Sequence, residues 1–169
     1  MRCFVMQPFD GGVYDRRFEE IFDPAIRAAG LEPYRVDRDA GASIPIEAIE
    51  QGIKSATVCF AEITTDNPNV WFELGYAIAV RKDVCMVCAS ERKSKFPFDI
   101  QHRKVIPYNS SSPSDFEKLS ADIAKRLQAI VAKGTALWAA AGFVDTELGV
   151  NMEPEVGHGT TEVYARVQA

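Results

Sequence analysis

Two hydrophobic periods alternate along the chain. Arg2 to Met6 is a short apolar run of strand type, broken by Pro8, Asp10, Gly11 and Gly12. Tyr14, Phe18, Ile21, Phe22, Ile26 and Ala29 then recur at helical spacing, with Gly30 where a C-terminal cap belongs and Pro24 placed to kink or split the helix. Leu31 to Val36 predicts a second strand, Asp37 to Ser43 a polar connection, and Ile46, Ile49 and Ile53 the stripe of a short helix. Ala56 to Ile63 is apolar at nearly every position, as a central parallel strand buried on both faces should be. Asn67 is a suitable helix cap and Pro68 a suitable first helical residue for a helix running to about Arg81. Val84 to Cys88 and Lys104 to Tyr108 complete five strands around a charged loop. Phe116, Leu119, Ile123, Leu127 and Ile130 mark a last helix over Ser112 to Lys133.

Strands that alternate with helices predict a parallel sheet covered on both sides. Five strands joined by right-handed crossovers predict a flavodoxin-like α/β fold of order 2-1-3-4-5, with its topological switch between strands 1 and 3. Ligands of such sheets bind at the C-terminal ends of the strands near that switch. The loops nominated are therefore Gln7 to Asp15, Asp37 to Ser43, and Thr64 into the following helix. Residues 1–133 are expected to form this domain and 134–169 a tail or appendage, acidic from Asp145 onward.

Composition narrows the picture further. The 169 residues are 47% hydrophobic and 25% charged, globular proportions that exclude wholesale disorder. Nineteen basic residues against 24 acidic ones give a net charge of -5, which disfavours a nucleic-acid partner. No run is long and apolar enough to span a membrane, and Met1 leads straight into a strand, so a cytoplasmic protein without a membrane partner is expected. Cys3, Cys59, Cys85 and Cys88 all sit in apolar runs and read as reduced core thiols. Cys85 and Cys88 spell C-x-x-C, but strand alternation sends the two thiols to opposite faces, and no metal is called for.

The densest chemistry lies in Asp66-Asn67-Pro68-Asn69-Val70-Trp71-Phe72-Glu73-Leu74-Gly75-Tyr76-Ala77. Glu73 falls about a turn and a half into a helix that starts at the switch point, where an acid either complements the helix's positive end or faces a cleft. Gly75 reads as a helix packing contact. The segment Glu91 to Lys104 carries five Lys or Arg against two acids, and Arg103 in it is a candidate phosphate contact by paired hydrogen bonds. Phe96, Pro97 and Phe98 in that loop serve either as a lid or as its anchor.

From Cys3 to Tyr108 the chain resembles the nucleoside 2-deoxyribosyltransferase-like and TIR-like superfamily. The matching pieces are Phe4 to Asp10 with Tyr14-Asp15, Arg35 to Asp39, Ala61 to Thr65, and above all the Asn67 to Ala77 block. A glutamate on the helix after the third strand attacks the anomeric carbon in the deoxyribosyltransferases, and a glutamate at the same place is essential in NAD-cleaving TIR domains. The resemblance implies that role, nucleophile or oxocarbenium stabiliser, for Glu73. It further implies that Asp66 or Asn67 contacts sugar hydroxyls or the base, that Asp10 and Asp37 or Asp39 line the pocket, that Phe9, Trp71 and Tyr76 are available to stack on the base, and that Pro8 and Asn69 are further candidate substrate contacts. Asp66 or Asp39 would protonate a leaving base if burial raised its pKa. The bulky Pro68 to Trp71 approach, and the lack of a serine-rich first loop, place the chain nearest the predicted nucleotide-binding branch of the group.

Two functions follow as expectations. One is an N-glycosidase or deoxyribosyltransferase-like enzyme acting on a nucleoside, nucleotide or NAD, without a cofactor other than NAD as substrate. The other is a TIR-like module that binds a nucleotide and signals without turnover. A homo-oligomer is expected in either case, because relatives complete their pocket across a subunit contact. A purely scaffolding role would predict neither binding nor turnover.

Overall fold

A computed structural model of the chain describes residues 1–38 and 45–147, the side chains at 45, 98, 99 and 137–147 excepted. In chain order its elements are β1 (Arg2–Met6), α1 (Val13–Arg17), a π-helical turn (Phe18–Phe22), α2 (Asp23–Ala28), β2 (Glu32–Tyr34), a 3-10 turn (Val36–Arg38), α3 (Pro45–Ser55), β3 (Val58–Glu62), α4 (Pro68–Ala79), β4 (Val84–Ala89), α5 (Phe98–Gln101), β5 (Val105–Tyr108) and α6 (Pro113–Glu147). The five strands are all parallel in the order β2-β1-β3-β4-β5. This is the flavodoxin-like α/β arrangement that the alternation predicts. Both edge strands contain a proline, Pro33 in β2 and Pro107 in β5. Without an N–H to offer, these positions suit a sheet's margin and not its centre.

The chain divides into two compact units, Met1–Val131 and Ala132–Ala169. In the first, strand alternation builds two cores. Cys3, Val5, Val58, Phe60, Cys85 and Val87 face Phe22 and Ile26 of the first helical segment and Leu119, Ile123 and Leu127 of α6. Phe4, Met6, Cys59, Ala61, Met86 and Cys88 face Ile53 of α3 and Val70, Leu74 and Ala77 of α4. The C-x-x-C thiols therefore lie in different cores, and all four cysteines are buried and free. Burial pushes the Cys59 and Cys85 thiols up to about 12.

Three local features differ from expectation or sharpen it. The first helical segment is split beside Pro24: a π-helical turn ends at Phe22, and Pro24 lies in the first turn of α2, where a missing N–H costs little. Gly30 adopts φ +78° and closes α2 with bonds from its own N–H to the Arg27 carbonyl and from the Leu31 N–H to the Ile26 carbonyl. The last helix does not stop near Lys133 but continues to Glu147.

Gly52 explains how α3 lies so close to the sheet. A Cβ there would come within 2.6 Å of the buried Phe4 ring and 3.0 Å of the Tyr34 ring. Gly52→Ala is expected to destabilise by about 1–3 kcal/mol through overpacking, read as a lower urea midpoint with an unchanged m-value.

Candidate functional site

The site is built around the start of α4. Asn67 caps this helix, its side-chain oxygen accepting from the N–H groups of Asn69 (2.9 Å) and Val70 (3.2 Å), and Pro68 occupies the first turn. Val70, Leu74 and Ala77 are the helix positions buried on the sheet, and Glu73 lies on the same stripe. The helix period thus carries a carboxylate inward: Glu73 is only 3% exposed. It has no hydrogen-bond partner among the described residues. Desolvation, with the Asp37 carboxylate adding to it, pushes Glu73 up to about 7. Asn69 and Phe72 on the same helix are exposed, and Trp71 is half-buried. Gly75 is no packing contact; a Cβ there would meet open space.

The ends of β1 and β2 supply a second group. Pro8 is buried and Phe9 exposed. Asp10 accepts from the backbone N–H groups of Gly12 (2.9 Å) and Tyr14 (3.2 Å), so it fastens the start of α1. Desolvation alone would raise its carboxyl, but these N–H bonds prevail and lower it. Arg35, its side chain 2% exposed, donates to Asp15 (2.6 Å) and, through two nitrogens, to Asp37 (3.0 and 2.6 Å). Its guanidinium also lies 4.9 Å from the Phe9 ring centre and 4.7 Å from that of Phe18. Two buried polar atoms in this group have no partner among the described residues: Nη1 of Arg35 and Oε1 of Gln7, whose Nε2 donates to the Tyr14 carbonyl.

On the other side of β3, Asp66 pairs with Arg92 at 2.6 Å. Arg92 also donates to the carbonyls of Ile63, Thr64, Ser94 and Lys95 and packs between the rings of Trp71 and Phe96. The Arg92 hydrogen bond lowers the Asp66 carboxyl, so the raised pKa that a proton donor requires is absent at Asp66. Phe96 anchors the loop: it packs against the α3/α4 core, as does Ile100 of α5. Arg103 is exposed, its backbone N–H bonded to the Ile100 carbonyl. Tyr76 turns toward α3, where its hydroxyl donates to Glu50 (3.3 Å) beside Lys54. Asp39 lies outside the described residues.

Arg35 thus holds Asp37, Asp15 and Phe9 together, and the Asp37 carboxylate acts on Glu73, whereas Tyr76 pairs with Glu50 and Asp66 with Arg92. Four residues outside the predicted site set make the polar contacts at the strand ends: Gln7 to the Tyr14 carbonyl, Arg35 to Asp15 and Asp37, Glu62 to Thr64, and Arg92 to Asp66. Glu62 is the one charged position in β3, and a lone acid in an otherwise apolar central strand is the signal that would have found it. A groove of about 760 Å³ on the opposite face of the sheet, lined by Ile21, Ser112, Phe116 and Ala124 among others, contains none of the predicted site residues. Among the described residues no helix is long and apolar enough to cross a membrane.

No protein-family model matches the chain, and no curated protein matches it. Solved structures do. A CMP N-glycosidase from Clostridium botulinum, BcmB, superposes with a TM-score of 0.51 at 19% identity, over 70% of this chain and 98% of that one. The TIR domain of the Toll-related receptor TRR-2 of Hydra magnipapillata gives 0.52 at 15% identity, over 72% and 96%. A 2-deoxyribosyltransferase from Bacillus psychrosaccharolyticus gives 0.51 at 13% identity, over 71% and 90%. The chain has the α/β fold shared by nucleoside deoxyribosyltransferase-like and TIR-like proteins.

Proposed function

We propose that this protein cleaves or transfers the N-glycosidic bond of a nucleoside, a nucleotide or NAD, with Glu73 as nucleophile or as stabiliser of the oxocarbenium ion. One observation carries the reading: a carboxyl buried to 3% exposure at the switch point, with no hydrogen-bond partner among the described residues. A structural acid at a helix start would reach water or a backbone N–H. Breaking a bond between sugar and base builds positive charge on the sugar, which a carboxylate held against the anomeric carbon stabilises or captures as an ester. The unpaired Arg35 Nη1 and Gln7 Oε1 provide a donor and an acceptor for the substrate's polar groups, and Phe9 provides an apolar face. The similarity of fold to an N-glycosidase and a deoxyribosyltransferase supports the same chemistry.

Incubation with NAD, deoxynucleosides and nucleotides, followed by chromatographic separation of free base, tests the reading. Base release should depend on ionised Glu73, so kcat/KM is expected to rise with pH and level off above about 7. A rate that is flat from pH 5 to 8 would contradict that role. Nucleotide binding with no base release would make the site a sensor instead.

A further inference from the structure

We propose that Thr64 is the fixed bearing of the β3–α4 turn, and that Glu62 is a positioning residue acting through Thr64 on the placement of Glu73. The kinetic part of this inference rests on the N-glycosidic reading; the structural part does not. Glu62 ends β3 on the face of Val58 and Phe60, opposite the face that α4 covers, and is 0% exposed. A carboxylate so placed is tolerated only when several donors satisfy it. Three do. The Thr64 N–H donates to Oε2 (3.3 Å), and the Thr64 and Tyr108 hydroxyls donate to Oε1, Tyr108 at 3.1 Å.

The direction of these bonds agrees with their outer partners. Tyr108 already accepts from Arg17 Nη1 (2.9 Å), so its proton points to Glu62. Thr64 Oγ1 already accepts from the Ala89 N–H (2.8 Å), so its proton points to Glu62 as well. Glu62 accepts in each of these contacts; burial raises its carboxyl, and the Thr64 and Tyr108 bonds work against that rise. The Thr64 carbonyl, in turn, accepts from Arg92 Nη1 at 3.0 Å. Every polar group of Thr64 is therefore engaged, by its own strand, by β4 and by the loop after β4. Asn67 begins α4 three residues later. The angle at which α4 leaves the sheet, and with it the depth of Glu73, is set where these bonds converge. A displacement of about 1 Å at a reacting group costs about a hundredfold in rate, which gives such a bearing catalytic weight.

Thr64→Val keeps the side-chain shape and deletes the hydroxyl, while Thr64→Ser keeps the hydroxyl. For base release, Thr64→Val is expected to lower kcat by about 10- to 100-fold with KM within about twofold, and Thr64→Ser to stay near the parent. Independently of activity, hydrogen–deuterium exchange of the amides from Thr65 to Phe72 should quicken by about tenfold or more in Thr64→Val, with β1 and the Leu119 to Ile130 part of α6 unchanged. Glu62→Gln, which halves the acceptor capacity beneath Thr64, should show the same local pattern and serves if Thr64→Val does not fold. Unchanged exchange at the start of α4, or a loss spread evenly over the chain, overturns the proposal; so does a rise in KM with kcat intact. If the parent releases no base from any substrate, the proposed function fails and the exchange measurement alone decides the role of Thr64.

Discussion

At pH 8 the Glu73→Gln variant is expected to melt at a higher temperature than the parent while releasing no base. The burial on which the proposed role of Glu73 depends also works against the folded state. An acid whose pKa is raised from 4.5 to about 7 binds its proton more tightly when folded, so its contribution falls as pH rises across that interval and stays low above it. The shift corresponds to about 3 kcal/mol. Glutamine has nearly the shape of the protonated acid and carries no charge to desolvate. The two proteins should therefore have equal stability near pH 4, diverge between pH 4.5 and 7, and differ by about 3 kcal/mol above pH 7, or roughly 6–12 °C in melting temperature for a chain of this size. Base release should drop by about a thousandfold or more, as for loss of a covalent nucleophile. Equal melting curves at pH 8 would place the carboxylate in water; unchanged base release would remove it from the chemistry.

The second large effect is expected at Arg35. Its side chain, 2% exposed, is shared between Asp15 and Asp37, whose side chains are 22% and 29% exposed. Arg35→Met keeps much of the packing against Phe9 and Phe18 but strands two carboxylates, of which Asp37 acts on Glu73. Removing one partner from a buried ionic cluster costs about 3–5 kcal/mol, and the partial exposure of the aspartates places this case at about 3 kcal/mol. Lysine should recover only part of that, because a single ammonium does not reproduce the fork that spans two carboxylates. The pH dependence fixes the cause. The Asp15 carboxyl is lowered despite its desolvation, chiefly by its hydrogen bond from Arg35, so the stability it contributes is present above its ordinary value near 3.8 and is lost as pH falls through the lowered one. The deficit of Arg35→Met in urea should accordingly be largest near pH 7 and shrink below pH 4. A deficit that does not change with pH would assign Arg35 a packing role alone.

Much of the architecture is legible because it depends on local period. The apolar run of β3, the helical stripe of α6, the Asn67 cap and the Gly30 turn each announce themselves within a few residues. The opposed faces of Cys85 and Cys88 follow from alternation alone. The polar contacts at the strand ends are less legible because they depend on distant pairings. Glu62 meets Tyr108 across 46 positions, Arg35 meets Asp15 across 20, and Arg92 meets Asp66 across 26. No window of a dozen residues contains these partners. Arg92 stands in the same basic segment as Arg103, and only the fold shows which of the two is buried. The partner of Tyr76 is out of reach for the same reason: its hydroxyl donates to Glu50 of the neighbouring helix, 26 positions away.

The four buried thiols give the chain a built-in stopwatch. They stand on β1, β3 and β4, the three innermost strands, and all are held protonated by burial. An alkylating reagent can modify them only in molecules whose sheet has opened, so the pace of labelling reports how often the centre of the protein comes apart.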